Sequence, residues 1–198
     1  MIILFLTACF DQTKNENNYT FEHDKVAPKF KYGHRTSFEM DSISWNERSN
    51  HYNRLTQQEF YSVHQDPSKE YLGAHPLSID QEYYYSIQER NSKFHEITVL
   101  WQLESEYCQG ITYLIFSKIG KLIDEFPVAG SCGDGGFYDR KKGRFLNDST
   151  YQLIVIDNYK TPDIIEPTIL TTTEKIYRID QNGKVNLTEK VIEVKTIK

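Results

Sequence analysis

The side chains best able to bind a metal or move protons near neutral pH are the six histidines, His23, His34, His51, His64, His75 and His95. No two of them lie four residues apart, and His95-Glu96 lacks the second histidine of a zinc-binding helix. Carboxylates are plentiful, 28 in all, but a linear sequence carries no spatial separations, so a glycosidase-type acid and base pair is neither indicated nor excluded. No nucleophile elbow, P-loop or dinucleotide fingerprint is present, and no cofactor is expected. The segment Gly130-Ser131-Cys132-Gly133-Asp134-Gly135-Gly136-Phe137-Tyr138-Asp139 is the most specialised stretch. Its glycines permit close approach of a ligand, and Asp134 and Asp139 could offer oxygens to a hard cation. The plainer reading is a turn between strands.

The elements that must position these groups are mainly strands. Thr56-Gln57-Gln58-Glu59 has capping-box spacing, with Phe60 and Val63 on one side of the turns that follow, so a short helix is expected to end before Asp66-Pro67. Ile97, Val99, Trp101 and Leu103 alternate with Glu96, Thr98, Gln102 and Glu104, which predicts a strand with one wet face and leaves Leu100 as an exception. Residues 111 to 116 are apolar on both faces, as in a central strand covered on both sides, and Tyr151 to Ile156 repeats that character. Thr173 to Ile179 and Val185 to Val194 flank Asn182-Gly183, a favoured two-residue hairpin turn.

Gly120-Lys121-Leu122, Gly143-Arg144-Phe145 and Gly183-Lys184-Val185 each place glycine, a basic residue and an apolar residue at the exit of an expected turn. The expected fold is mainly β: an antiparallel meander forming a twisted sheet or partly closed barrel, with a short N-terminal helix. A small propeller is the alternative, disfavoured because the triplets lack a constant period. The tight basic cluster Arg140-Lys141-Lys142 with Arg144 reads as a solvated turn between strands. With a net charge of -5 and a pI near 5.7, the chain is not expected to bind nucleic acid. The 14 tyrosines read as strand residues that bury a ring and keep a wet hydroxyl.

Leu6-Thr7-Ala8-Cys9, directly behind Ile2-Ile3-Leu4-Phe5, resembles the lipobox of bacterial lipoproteins. The resemblance implies that residues 1–8 are a removed signal segment and that Cys9 becomes an acylated N-terminus. Two or three acyl chains make a stable anchor, whereas one holds only marginally. No Lys or Arg precedes Cys9, so a start upstream of Met1 or an abbreviated signal is expected. Phe10 stands where Asp would favour inner-membrane retention, so the resemblance implies the outer membrane. Residues 9–38 are then expected as lipidated N-terminus and flexible tether, and 39–198 as one mostly β domain.

With Cys9 assigned to lipid, Cys108 and Cys132 remain as an even pair in an oxidising compartment. Between them Ser117-Lys118-Ile119-Gly120-Lys121 reads as a hairpin turn, which would set Cys108 opposite one of residues 130 to 132. A disulfide is the favoured outcome, with two unpaired thiols or a catalytic cysteine as the alternatives. Two functional classes follow. One is a membrane-anchored envelope lipoprotein with a non-catalytic binding or structural β domain, whose partner would be an envelope protein or a glycan. The other is an envelope hydrolase whose carboxylates meet only in the fold.

Overall fold

The computed structural model describes residues 19–40, 47–66, 81–88, 90–103, 107–134, 137–159 and 168–197. Cys9, the expected signal segment and the first part of the expected tether lie outside the described residues. The chain opens with a one-turn helix α1 (His23–Val26), a short 3₁₀ turn (Ala27–Lys29) and strand β1 (Ser37–Phe38). Two helices follow, α2 (Arg48–His51) and α3 (Gln57–His64). Then come β2 (Gln81–Gln88), β3 (Phe94–Leu103), β4 (Cys108–Ser117), β5 (Leu122–Asp134), β6 (Phe137–Asn147), β7 (Thr150–Tyr159), β8 (Thr168–Ile179) and β9 (Val185–Ile197).

Strands β2 to β9 pair antiparallel in sequence order, and β1 adds to β6, so the nine strands form one meander. Among the described residues there are no separate blades, which removes the propeller, and the sheet does not close into a barrel. The expected helix is present as α3: Thr56 Oγ1 accepts from the Glu59 amide and the Glu59 carboxylate accepts from the Thr56 amide.

The sheet bends sharply within β5. Bulges between Ile111 and Thr112 and between Ile115 and Phe116 increase its twist. Only the far end of β5, Gly130 to Asp134, pairs with β6. Pro127, which has no amide to donate, sits on the part that leaves that ladder. The bend folds the β8–β9 hairpin over the first half of the sheet. Phe126 stacks on Tyr177 with centroids 4.8 Å apart, and Val185 N donates to Asp124 Oδ2 at 3.0 Å. Between the layers lies the larger core, including Leu100, Tyr113, Val128, Tyr151 and Leu153. A second core, including Leu55, Val63, Ile97, Val99 and Leu114, packs α3 and the N-terminal segment on the outer face of β2 to β4.

Four expectations need correction. The polar face of β3 is not wet: Glu96, Thr98 and Gln102 are all buried. Thr98 shares a hydrogen bond with Ser86 (2.6 Å), Gln102 accepts from buried Arg48 (3.1 Å), and Leu100 on that same face enters the core. Strand β7 is covered on one face only, with Tyr151, Leu153 and Val155 buried and Gln152, Ile154 and Ile156 half-buried. The β8–β9 turn has more than two residues, since Asp180 N donates to Lys184 O and Gly183 N to Asp180 O. Finally, Phe21, Val26 and Phe38 are buried, so packed chain reaches back to Phe21, earlier than residue 39.

Two of the three glycine triplets share one cause. Ser117 N donates to Lys121 O and Gly120 N to Ser117 O, which is the same pattern as at Asp180. Gly120 and Gly183 have φ of +79° and +81°, so each triplet marks a hairpin turn whose last residue is left-handed. Gly143 is different. It lies inside β6, where a Cβ would fall 2.3 Å from Gln152 O and 2.7 Å from the Tyr151 ring.

Candidate functional site

The lead-in strap ties the two halves of the sheet together and creates a cleft. Tyr32 N donates to Tyr85 O (3.0 Å) and Ile87 N to Tyr32 O (3.1 Å), which fixes one end on β2. Five residues on, Ser37 and Phe38 pair with Arg144 and Gly143 of β6, and Phe145 N donates to Thr36 O at 2.8 Å. Because β5 has left β6 by this point, β1 takes its place in the ladder. The Tyr151 ring packs against the bare backbone of Gly143, and its hydroxyl donates to Val128 O at 2.7 Å. Phe38 and Phe145 lie against that ring at 6.1 and 4.7 Å between centroids.

The resulting cavity is about 610 Å³ and is lined by Tyr32, Arg35, Ser37 to Met40, Tyr85, Lys142 to Arg144, Gln152 and Ile154. Its volume falls in the usual range for small-molecule sites, about 300 to 1,000 Å³. The basic cluster that reads as a loop is in fact strand β6, another correction to the sequence reading. Strand alternation puts Lys142 and Arg144 on the cleft side together with Gln152 and Ile154, while Lys141 turns to the opposite face and pairs with Asp139. Arg35 comes from the strap. Its guanidinium lies over Tyr32 and Tyr85, 4.6 and 5.6 Å from the ring centroids.

Beneath the strap, Arg90 lies 3.3 Å over the Phe145 ring and donates to Arg35 O and to Gln88 Oε1. Burial pushes the nearby Glu96 carboxyl up from its ordinary range, with the Arg90 charge and contacts from Tyr113 and neighbouring amides acting the other way. Burial likewise raises Tyr113 and Tyr151, so these hydroxyls stay neutral donors in the floor of the domain.

Among the described residues the cleft holds one carboxylate, Glu39, and Arg140 Nη2 pairs with it at 3.0 Å. A second cavity of about 590 Å³, between the N-terminal segment and α3, contains Glu22 and Glu59. Each of these is held by a lysine, Lys25 and Lys29 respectively. Burial alone would raise Glu59, but hydrogen bonds from Lys29 and Thr56 outweigh it and the net shift is downward.

Outside the cavities, the fold brings carboxylates together in two places. His64, buried at the end of α3, has Nε2 2.7 Å from Glu82 and Nδ1 3.9 Å from Glu125. Asp139 and Asp157 face each other across β6 and β7, and Asp157 is raised first by burial and then by the Asp139 charge. The remaining sequence candidates resolve as follows. The sulfurs of Cys108 and Cys132 lie at disulfide distance, with Cα atoms 4.1 Å apart. Gln109 faces Ser131, so the two cysteines close the far end of the β4–β5 ladder. Asp139 is buried and accepts from the Cys132 amide at 2.9 Å. The Asp134 side chain lies outside the described residues, and among those described no group of three metal-ligating side chains occurs. His23 stacks on His95 at 4.1 Å, a contact their separation in sequence hides.

Comparison with protein-family profiles, with curated proteins and with solved structures finds no match to the chain. Arg35 and Tyr32 were not legible as site residues. The signal for Lys142 and Arg144 was available in the alternation of basic residues at 140, 142 and 144.

Proposed function

We propose that this chain is a lipid-anchored protein of the bacterial cell envelope, held in the outer membrane through Cys9, and that its β domain is a non-catalytic binding module. The observation that carries the binding reading is the cleft between β1 and β6. It is large enough for a ligand, it is rimmed by Arg35, Lys142 and Arg144, and the single carboxylate among its described lining residues is already ion-paired. A hydrolase of the two-carboxylate type needs an acid and a base facing a substrate. Among the described residues, the carboxylates lining the two cavities, Glu22, Glu39 and Glu59, are each taken by a lysine or arginine. The closely set pairs around His64 and at Asp139 lie outside both cavities.

The compartment is supported by the Cys108 and Cys132 sulfurs at disulfide distance, since such bonds persist in oxidising surroundings. The partners that fit are an envelope protein or a glycan. The test is retention by the full chain, in detergent, of envelope glycans and peptides, with released products measured in parallel. Retention lost in a Lys142→Glu, Arg144→Glu variant, with no product formed, is the expected result. Turnover of any retained ligand would replace the binding reading with the hydrolase.

A further inference from the structure

We propose that the cleft binds a small organic anion, its carboxylate or phosphate held by Arg35, Lys142 and Arg144 and its ring or apolar body resting against Tyr32, Met40 and Ile154. This rests on the reading of the domain as a binding module and names the chemistry of its ligand. The first ground is charge. In a chain of net charge -5, three cations converge on one cavity. Among the described residues the only lining carboxylate, Glu39, is neutralised from outside by Arg140 at 3.0 Å. Among the described residues, neither the Lys142 nor the Arg144 head group has a carboxylate within ion-pairing distance.

The second ground is the state of Arg35. Its guanidinium is half-buried and held over two tyrosine rings, and none of its side-chain N–H groups is hydrogen-bonded to a described residue. The cation–π contacts engage the charge and leave the N–H donors free. Those donors match a carboxylate or phosphate in bidentate fashion. The third ground is the lining itself. The Gln152 amide nitrogen is already engaged by Glu174, and apart from the cations, Ser37 and ion-paired Glu39 the described wall is apolar or aromatic. A neutral sugar would leave the cations unanswered, and a cationic ligand would be repelled.

The test is isothermal titration of the full chain in detergent with glucuronate, glucose 6-phosphate, inorganic phosphate and glucose at low salt. Glucuronate or glucose 6-phosphate should bind in the high micromolar to millimolar range and at least tenfold more tightly than glucose. Which of these two binds more tightly separates a carboxylate ligand from a phosphate one. Lys142→Ala with Arg144→Ala, both exposed, and separately Arg35→Gln, should each weaken binding about tenfold or more. Lys190→Ala on distant β9 should change it less than twofold. Unchanged affinity in the cleft variants, equal affinity for glucose, or inorganic phosphate binding as tightly as glucose 6-phosphate would overturn the proposal. Circular dichroism of each variant separates loss of binding from loss of fold. Binding confined to a neutral glycan, and lost in the cleft variants, would overturn the anion while leaving the binding module standing.

Discussion

Reducing the link between Cys108 and Cys132 should cost the domain about 3.5 kcal/mol, because the cysteines are 24 residues apart and a loop of that size restricts the unfolded chain by roughly that free energy. The folded state has little to lose in return. The two residues end a ladder in which Gln109 already faces Ser131, so the strands keep their register when the thiols separate. The effect therefore acts on the unfolded ensemble. Urea unfolding of the soluble part of the transition, followed by tryptophan fluorescence with and without reductant, should show an earlier midpoint and a steeper slope, since the unlinked chain exposes more surface. In a thermal scan the drop should be about 7 to 14 °C for a protein of this size. A difference below about 0.5 kcal/mol between oxidised and reduced protein would refute the reasoning, and mass spectrometry of the native protein showing two free thiols would remove its premise.

Three other outcomes follow from the geometry. Gly120→Ala should destabilise by about 2 to 3 kcal/mol and Gly183→Ala by about 1 to 2, measured by chemical denaturation: both have positive φ, but only at Gly120 would the new Cβ fall 2.2 Å from a backbone oxygen, that of Phe21. His95 is held below its ordinary value by burial, by stacked His23 and by Lys118, with Asp24 acting in the opposite sense. The folded state therefore favours neutral His95, and its contribution is present above the ordinary pKa of 6.5 and lost as pH falls from there through the depressed folded value. Denaturation curves at pH 7.5 and 5 should show this loss, and His95→Gln should reduce it. Val191→Lys and Val194→Lys on β9 should each change stability by less than about 0.5 kcal/mol, because these side chains are 54% and 63% exposed. A larger loss in the monomer would mean that the strand is covered.

Helix α3 was legible because its capping box is local: Thr56 and Glu59 satisfy each other within one turn. The β4–β5 hairpin was legible for the same reason, and its two bulges move the pairing just far enough to bring Cys132 to the end of the ladder beside Cys108. What failed was whatever depends on distant partners. Thr98 and Gln102 look like a wet face until Ser86 and Arg48, far along the chain, bury and satisfy them. Gly143 looks like a turn residue because glycine is the usual turn signal, whereas here it makes room for Tyr151. The cleft joins a strap residue, Arg35, to a strand residue, Lys142, through a sheet bend that no local pattern announces.

Acylation of Cys9 is the premise of the proposed function. Metabolic labelling with radioactive palmitate, combined with separation of membranes from the soluble periplasmic fraction, compares the full chain with a Cys9→Ala variant in a bacterial host. The wild-type chain should carry label and sediment with the outer membrane, and the variant should lose the label and become soluble. Equal labelling of the two, or unchanged membrane association of the variant, would contradict the account.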